Sequence, residues 1–299
     1  MMSDPLSDVI RLLRPRSVFS KGISGAGAWG VRYSDFGQPS FCAVLEGSCR
    51  LALEGQEPLR LEAGDFVLLP TTPGFTLSGF EPVVPTCIDP KTAPLQLQEV
   101  RHGRQDGPPD VRMLGGYFMF GSADAALLVS LLPAQIHIRG AERLATLVRL
   151  VADETTGERP GSDLILTRLV DVLLLEALRS NAGEDTPPGL LRGLSDARIS
   201  LAMRKMHGDP ARSWTVEELA REAALSRSAF FDHFMRTVGL APMEYLMAWR
   251  MTMAKNLLRD KERPVAAVAE SVGYASASTF STAFSRYVGV SPSRYARGL

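Results

Sequence analysis

From about Trp29 to Leu77, apolar and polar residues alternate in short runs bounded by glycine turns. In "FCAVLEGSCRLALEG" the alternation reverses around Glu46-Gly47, and in "LRLEAGDFVLLP" around Gly64-Asp65, so antiparallel hairpins of a small sandwich or barrel are predicted. A polar loop, "RHGRQDGPPD", leads to one more strand, "RMLGGYFMF". At Ser122 the period changes. "SADAALLVSLLP" reads as a capped helix ended by Pro133. In "AERLATLVRLVADE", Leu144, Leu147, Val148 and Val151 share one helical stripe. "DLILTRLVDVLLLEALRS" is apolar around more than one face, which fits either burial inside its own domain or sharing with a second subunit. Leu6, Val9, Ile10 and Leu13 give the start of the chain the pattern of a short amphipathic helix. "SNAGEDTPPG" is a linker barred from helix by Pro187-Pro188, and the pattern beyond it is helical to the end.

That helical region contains the same unit twice. "FMRTVGLAPMEY" and "FSRYVGVSPSRY" share Phe, Arg, Val, Gly, Pro and Tyr in order. Upstream, Val216, Leu219, Ala220 and Ala224 correspond to Val265, Val268, Ala269 and Gly273, with one residue inserted in the turn that follows. Each unit is a short helix, a tight turn and a second helix. The turn needs a backbone that suits Gly273 and strains Ala224. Ser226 and Ser276 are natural N-caps for the second helices. Phe230 over Phe234, and Phe280 over Phe284, place one aromatic pair on the buried face of each. This is a helix-turn-helix made twice, a unit that inserts its second helix into a DNA major groove. The residues between the copies form a helix from about 242 to 259, with a stripe of Leu246, Trp249, Met253 and Leu257 expected to pack on both units. At 1.5 Å per residue such a helix is about 27 Å long, a spacer suited to heads on successive groove turns about 34 Å apart.

Overall the charge is balanced, with 33 basic and 33 acidic residues, but it is unevenly placed. From Ser195 onward there are 15 Lys/Arg against 10 Asp/Glu, so the repeated region is net basic and what precedes it is net acidic. A basic module fits an anionic partner. Cys42, Cys49 and Cys87 form no CxxC pair and read as reduced thiols of a cytoplasmic protein. The N-terminus lacks the pattern of a signal peptide, and no apolar run is long enough to span a bilayer.

"WTVEELAREAALSRSAFFDHFMRTVG", "PMEYLMAWRMTMAKNLLRD" and "PVAAVAESVGYASASTFSTAFSRYVGVSPSRY" resemble, in order and spacing, the DNA-binding domain of the AraC/XylS family of bacterial transcription regulators. "SFCAVLEGSC" and "LRLEAGDFVLLP" are similar to the cupin-type sensor domain of one branch of it. The resemblance implies an α+β fold. A cupin-like β-barrel with accessory helices (1–179) is followed by a linker (180–193) and an all-α double helix-turn-helix domain (194–299). Its helix-turn-helix units lie at about 216–237 and 265–287. It also implies a sequence-specific regulator of transcription, activator or repressor. By position, Ser226, Arg227, Ser228, Phe231, Asp232 and Arg236 in the first unit would meet DNA, with Ser276, Ala277, Ser278, Ser281, Thr282 and Arg286 in the second. The family usually carries Arg where this chain has Asp232 and Thr282. Arginine pairs with guanine or phosphate, whereas a carboxylate only accepts, for instance from cytosine N4. The other reading is a scaffold with weakened DNA affinity that binds protein.

A cupin metal centre needs converging histidines. Here the corresponding positions hold Cys42, Val44 and Phe75, with Glu46 the one remaining oxygen donor, so no metal, cofactor or catalysis is expected. His102 and His137 read as surface or hydrogen-bonded structural residues. A barrel can still enclose a small-molecule effector, with Cys42, Val44, Leu51, Leu53 and Phe75 as lining residues. Double-stranded DNA is the expected partner; an effector, RNA polymerase and a second copy of the chain are the others this reading admits.

Overall fold

The computed structural model describes residues 4–13, 15–92, 99–120, 132–156, 159–180, 186–259 and 263–298. The chain divides into two compact units. One contains 15–121 and 133–181; the other contains 182–299 together with the N-terminal residues 1–14 and the segment 122–132. The helix expected in "SADAALLVSLLP" lies outside the described residues, apart from its last two.

The first unit is a curled sheet. Its strands are β1 (Pro15–Ala26), β2 (Gly30–Tyr33), β3 (Ser40–Leu53), β4 (Leu59–Glu62), β5 (Phe66–Leu69), β6 (Phe75–Ser78), β7 (Thr86–Ile88), β8 (Val100–Gly103), β9 (Val111–Phe120) and β10 (Ile136–Ile138). The path runs β7-β2-β6-β3-β9-β1-β8, with β4 and β5 also on β3, and β10 on β5. β3 is its spine, because its first half pairs with β5 and β9 and its second half with β4 and β6.

Three expectations change here. The hairpin turn at Glu46-Gly47 is absent. Those residues sit inside one continuous strand, at a register shift between Val44 and Glu46 opposite β9. The extra residue of such a bulge reverses which parity of side chain faces inward. Cys42 and Val44 face the core before it, and Cys49, Leu51 and Leu53 after it. A hairpin would have produced the same inversion, which is why the sequence pattern suits both. Second, β1 is a full strand, pairing with β9 along most of its length and with β8 at its end. Third, Val100–Gly103, whose last three residues begin the supposed polar loop, form β8. The turn at Gly64-Asp65 and the strand over "RMLGGYFMF" are as expected.

The other parity of β3 gives a second apolar layer. Phe41 stacks on Phe118 at 4.9 Å and on Phe66 at 6.2 Å. Two helices, α2 (Glu142–Thr156) and α3 (Ser162–Ser180), pack against the sheet. Leu144, Val148 and Val151 of α2 are buried, with Leu147 at the edge of the stripe. On α3, Val170, Leu173, Leu174, Ala177 and Leu178 are buried while Leu164, Ile165 and Val172 are exposed.

The second unit is helical: α1 (Pro5–Leu13), α4 (Leu190–Ser195), α5 (Ile199–Gly208), α6 (Val216–Glu222), α7 (Arg227–Val238), α8 (Pro242–Arg259), α9 (Val265–Ser271), α10 (Ala277–Val288) and α11 (Pro292–Ala296). The amphipathic pattern at the N-terminus is realised in α1, whose Val9 and Ile10 are buried in contact with this unit. Among the described residues no helix is long and apolar enough to cross a membrane.

Candidate functional site

Each repeated unit is locked by its own backbone groups. In the first, Thr215 and Glu218 form a reciprocal capping box at the start of α6. The Ser226 hydroxyl accepts from the Ala229 N–H at 3.3 Å to start α7, and Gly239 ends that helix in the left-handed region. The second repeats the Ser and Gly caps, with Ser276 accepting from Thr279 N–H at 3.1 Å and Gly289 as terminator, but its first helix starts after Pro264 without a side-chain cap. Ser291 caps α11, with Pro292 in its first turn. The Phe230–Phe234 and Phe280–Phe284 ring pairs are 5.6 and 5.4 Å apart and have no exposed surface. Ala220 and Ala269 are buried where the two helices of each unit cross. Leu225 N–H returns to Ala220 and Tyr274 N–H to Ala269, which makes those residues equivalent and identifies Ala275 as the inserted one. The turn residues are Ala224 at φ 51° and Gly273 at φ 80°.

α8 joins the units, and the expected single stripe is too narrow. Tyr245, Leu246 and Trp249 are buried in its first half. Met251, Ala254 and Leu258 are buried in its second half against Val268, Ala269, Val272, Phe280 and Phe284. Met253 and Leu257 are only half-buried beside that cluster. A helix that must pack on two bodies needs two apolar faces, so one periodic stripe cannot describe it. On the first-unit side His207 stacks on Trp249 at 3.7 Å and bonds the Tyr245 hydroxyl at 2.7 Å.

A second tie runs between the units. Arg250 of α8 donates from Nε to the Pro210 carbonyl at 2.7 Å and from Nη2 to the Arg212 carbonyl at 2.8 Å. Burial lowers the pKa of its guanidinium, an effect opposed by nearby Tyr274 and Asp209. At the neighbouring residue Ala211, the second unit's Gly273 approaches so closely that a Cβ on it would lie 2.5 Å from the carbonyl oxygen. Arg250 thus fixes the loop ahead of α6 to the connecting helix.

The outward faces of α7 and α10 differ in chemistry. Ser226, Arg227, Ser228, Phe231, Asp232 and Arg236 are all exposed, and Met235, which sequence reasoning passed over, extends the Arg227–Phe231 line by one turn. Arg236 Nε reaches back to the Asp232 carbonyl at 3.4 Å, while His233 bonds Asp196 at 2.6 Å from the half-buried side. On α10, Ser276, Ser278, Thr282 and Arg286 are exposed, and Ala277 and Ser281 are half-buried. Ser281 and Thr282 donate their hydroxyls to the carbonyls of Ala277 and Ser278, which leaves oxygen lone pairs facing outward.

The half-barrel encloses a cavity of about 120 Å³. Cys42, Leu51 and Phe75 line it; Val44 and Leu53, expected there as well, instead fill the adjoining core. Residues that sequence reasoning missed complete the wall: Phe19, Lys21, Tyr33, Phe36 and Tyr117 among them. Phe19 and Lys21 lie on β1, a strand whose inward positions went unread because the strand itself did. The Cys42 thiol contacts Met113 sulfur at 3.6 Å, and burial raises its pKa and that of Cys49, the latter to about 12. Phe75, at the ligand position of a cupin, stacks on Tyr33 at 4.9 Å. His137 bonds Asp65 at 3.1 Å, the structural role expected of it. His102 is on β8 beside Trp29, not in a loop.

Residues 4–183 match the family described as Cupin, and 219–298 match the family described as Helix-turn-helix domain. A putative AraC-like transcription regulator of Streptomyces lividans is 37% identical over 98% of this chain and 97% of its own. One of Streptomyces antibioticus is 36% identical over 98% of both. The chain belongs to the AraC-like transcription regulators. An HTH-type transcriptional regulator of Haemophilus influenzae is 28% identical over 99% of each chain. In this AraC-like chain a cupin unit is followed by a helix-turn-helix domain in which the helix-turn-helix unit occurs twice.

Proposed function

We propose that this regulator binds duplex DNA with α7 and α10 in successive major-groove segments, and that a small molecule in the half-barrel modulates it in the cytoplasm. The observation that carries the DNA reading is the pair of units whose second helices share the same Ser and Gly caps, joined by an 18-residue helix. Ser228, Phe231 and Asp232 face bases in the first unit, as do Ala277, Ser278, Ser281 and Thr282 in the second. Arg227, Arg236 and Arg286, with the helix N-termini, hold phosphates. RNA polymerase and a second copy of the chain are further partners within this reading, the latter supported by the exposed Leu164, Ile165 and Val172 of α3.

A mobility-shift titration on the promoter of its own or a neighbouring operon tests this. With about three arginine–phosphate contacts, affinity falls roughly 40-fold between 50 and 200 mM salt. A flat response would turn the reading toward a protein-binding scaffold.

A further inference from the structure

The cavity contains a cation that a merely filled barrel would not need. Alternate residues of β1, namely Phe19, Lys21 and Ile23, turn toward it. Beside Lys21 on the neighbouring strand β9, Gly115 keeps this face open, since a Cβ there would lie 2.9 Å from the Ile23 Cδ1 methyl. The volume is on the scale of a single-ring occupant, since an apolar cavity of about 150 Å³ accepts benzene. Its walls are aromatic and aliphatic, with Tyr33 and Tyr117 among them.

Lys21 is half-buried in that wall, and burial pulls its ammonium below the ordinary lysine range. Among the described residues no carboxylate or hydrogen-bond acceptor reaches it. Glu99 lies against Gly22, the neighbour that points to the other face of the strand. The pKa of His102 is lowered by burial and then by the charge of Lys21, and an imidazole supplies no negative charge in either form. A desolvated charge without a partner is unfavourable. An anion brought in by a ligand removes that penalty, and the Tyr33 phenol, whose pKa burial raises to about 12, stays protonated as a donor beside it.

We propose that the effector is an organic anion with a compact aromatic body, its acid group paired with Lys21 and its ring held against Tyr33, Phe36 and Tyr117. This rests on the regulator reading only in taking the cavity as the effector site.

Calorimetric titration of the whole chain with benzoate and with the neutral benzamide tests it. The acid binds at least 10-fold tighter than the amide to the unaltered protein, Lys21→Met removes that preference while leaving amide binding in place, and Lys21→Arg retains it. Thermal unfolding gives a second readout: Lys21→Met unfolds at a higher temperature than the parent without ligand, and benzoate raises the transition of the parent and of Lys21→Arg by more than that of Lys21→Met. Equal affinity for acid and amide, a preference that survives Lys21→Met, or binding of neither compound overturns the proposal. The mobility shift of the same preparations separates the two failures, because it reports on DNA binding whether or not the cavity takes an anion.

Discussion

The two turns of the repeat offer a matched pair of substitutions, Ala224→Gly and Gly273→Ala, with opposite expected signs. Ala224 sits at φ 51° and is exposed, so its methyl group packs on little while the backbone holds a left-handed conformation. For an L-residue that conformation costs about 1–2 kcal/mol. Glycine relieves it but loses about 0.4–1 kcal/mol through the greater freedom of its unfolded chain. The balance is a gain of roughly 0.5–1 kcal/mol, or a rise of about 2–4 °C in the transition of a unit this size. Gly273 has φ 80° and lies against the Ala211 backbone, so alanine there meets both the conformational cost and a collision with main-chain atoms that cannot rotate away. A loss of about 3 kcal/mol is expected. Two of the three tryptophans, Trp214 and Trp249, belong to the helical unit, so urea denaturation followed by tryptophan emission reports its stability. Gly273→Ala should also weaken DNA binding beyond its stability effect, since the collision sits between the two reading units; Ala224→Gly should leave affinity unchanged. A destabilising Ala224→Gly, or a Gly273→Ala variant within about 0.5 kcal/mol of the parent, which is the usual range for an innocuous surface change, would refute the reasoning.

Arg250→Ala leaves two carbonyls without their charged donor and should lower the stability of the helical unit by about 2 kcal/mol; Arg250→Lys should recover less than half of it, because an ammonium cannot reproduce the planar fork. The urea midpoint at constant slope reads both. His207 is buried, and burial lowers its pKa to about 3 against the opposing influence of Asp4. Its folded value lies below the unfolded one of about 6.5, so its contribution is complete above pH 6.5 and is lost as pH falls, by about 2 kcal/mol between pH 7 and 5. His207→Gln should flatten that stretch of the pH profile, and an unchanged profile counts against the assignment. Asp232→Arg should move the preferred base at its position from one offering an amino donor toward guanine, as read by binding-site selection; an unchanged selected sequence would show that Asp232 does not face bases.

The helical unit was legible because duplication supplies an internal control. A cap, a turn glycine or a phenylalanine pair seen once is weak, but the same features at a constant offset exclude accident, and the strain assigned to Ala224 follows from its alignment with Gly273 alone. What escaped reading there was tertiary. The Arg250 fork and the second apolar face of α8 depend on what packs beside them. The capping box is an exception, since "TVEE" carries the Thr-x-x-Glu signature in plain view. In the sheet unit the signal was poorer. β1 has buried Ser20 and Ser24 and glycines at 22 and 25, so its alternation is chemically faint, yet it lies between β8 and β9 and contributes a wall of the cavity. With β1 unread, Lys21 could not be assigned a face. Two of the five lining residues expected from β3 and β6 fell into the core instead, because parity gives the side of a strand and not the depth at which the space opens.

The repeated units also show where divergence was permitted. Their buried sets are nearly superimposable: Leu219, Ala220, Phe230 and Phe234 against Val268, Ala269, Phe280 and Phe284. Their exposed sets share little, since Arg227, Phe231, Asp232 and Met235 stand where the second copy has Ala277, Ser281, Thr282 and Ser285. Packing constrains the first group in both copies alike, whereas the second group is free to follow whatever it contacts. On the proposed docking the first helix brings an anionic acceptor, an aromatic surface and a thioether, while Ser281 and Thr282 of the second, their protons given to backbone carbonyls, bring small neutral acceptors. Base changes under α7 should therefore cost more affinity than changes under α10, even though the two helices are held by the same caps.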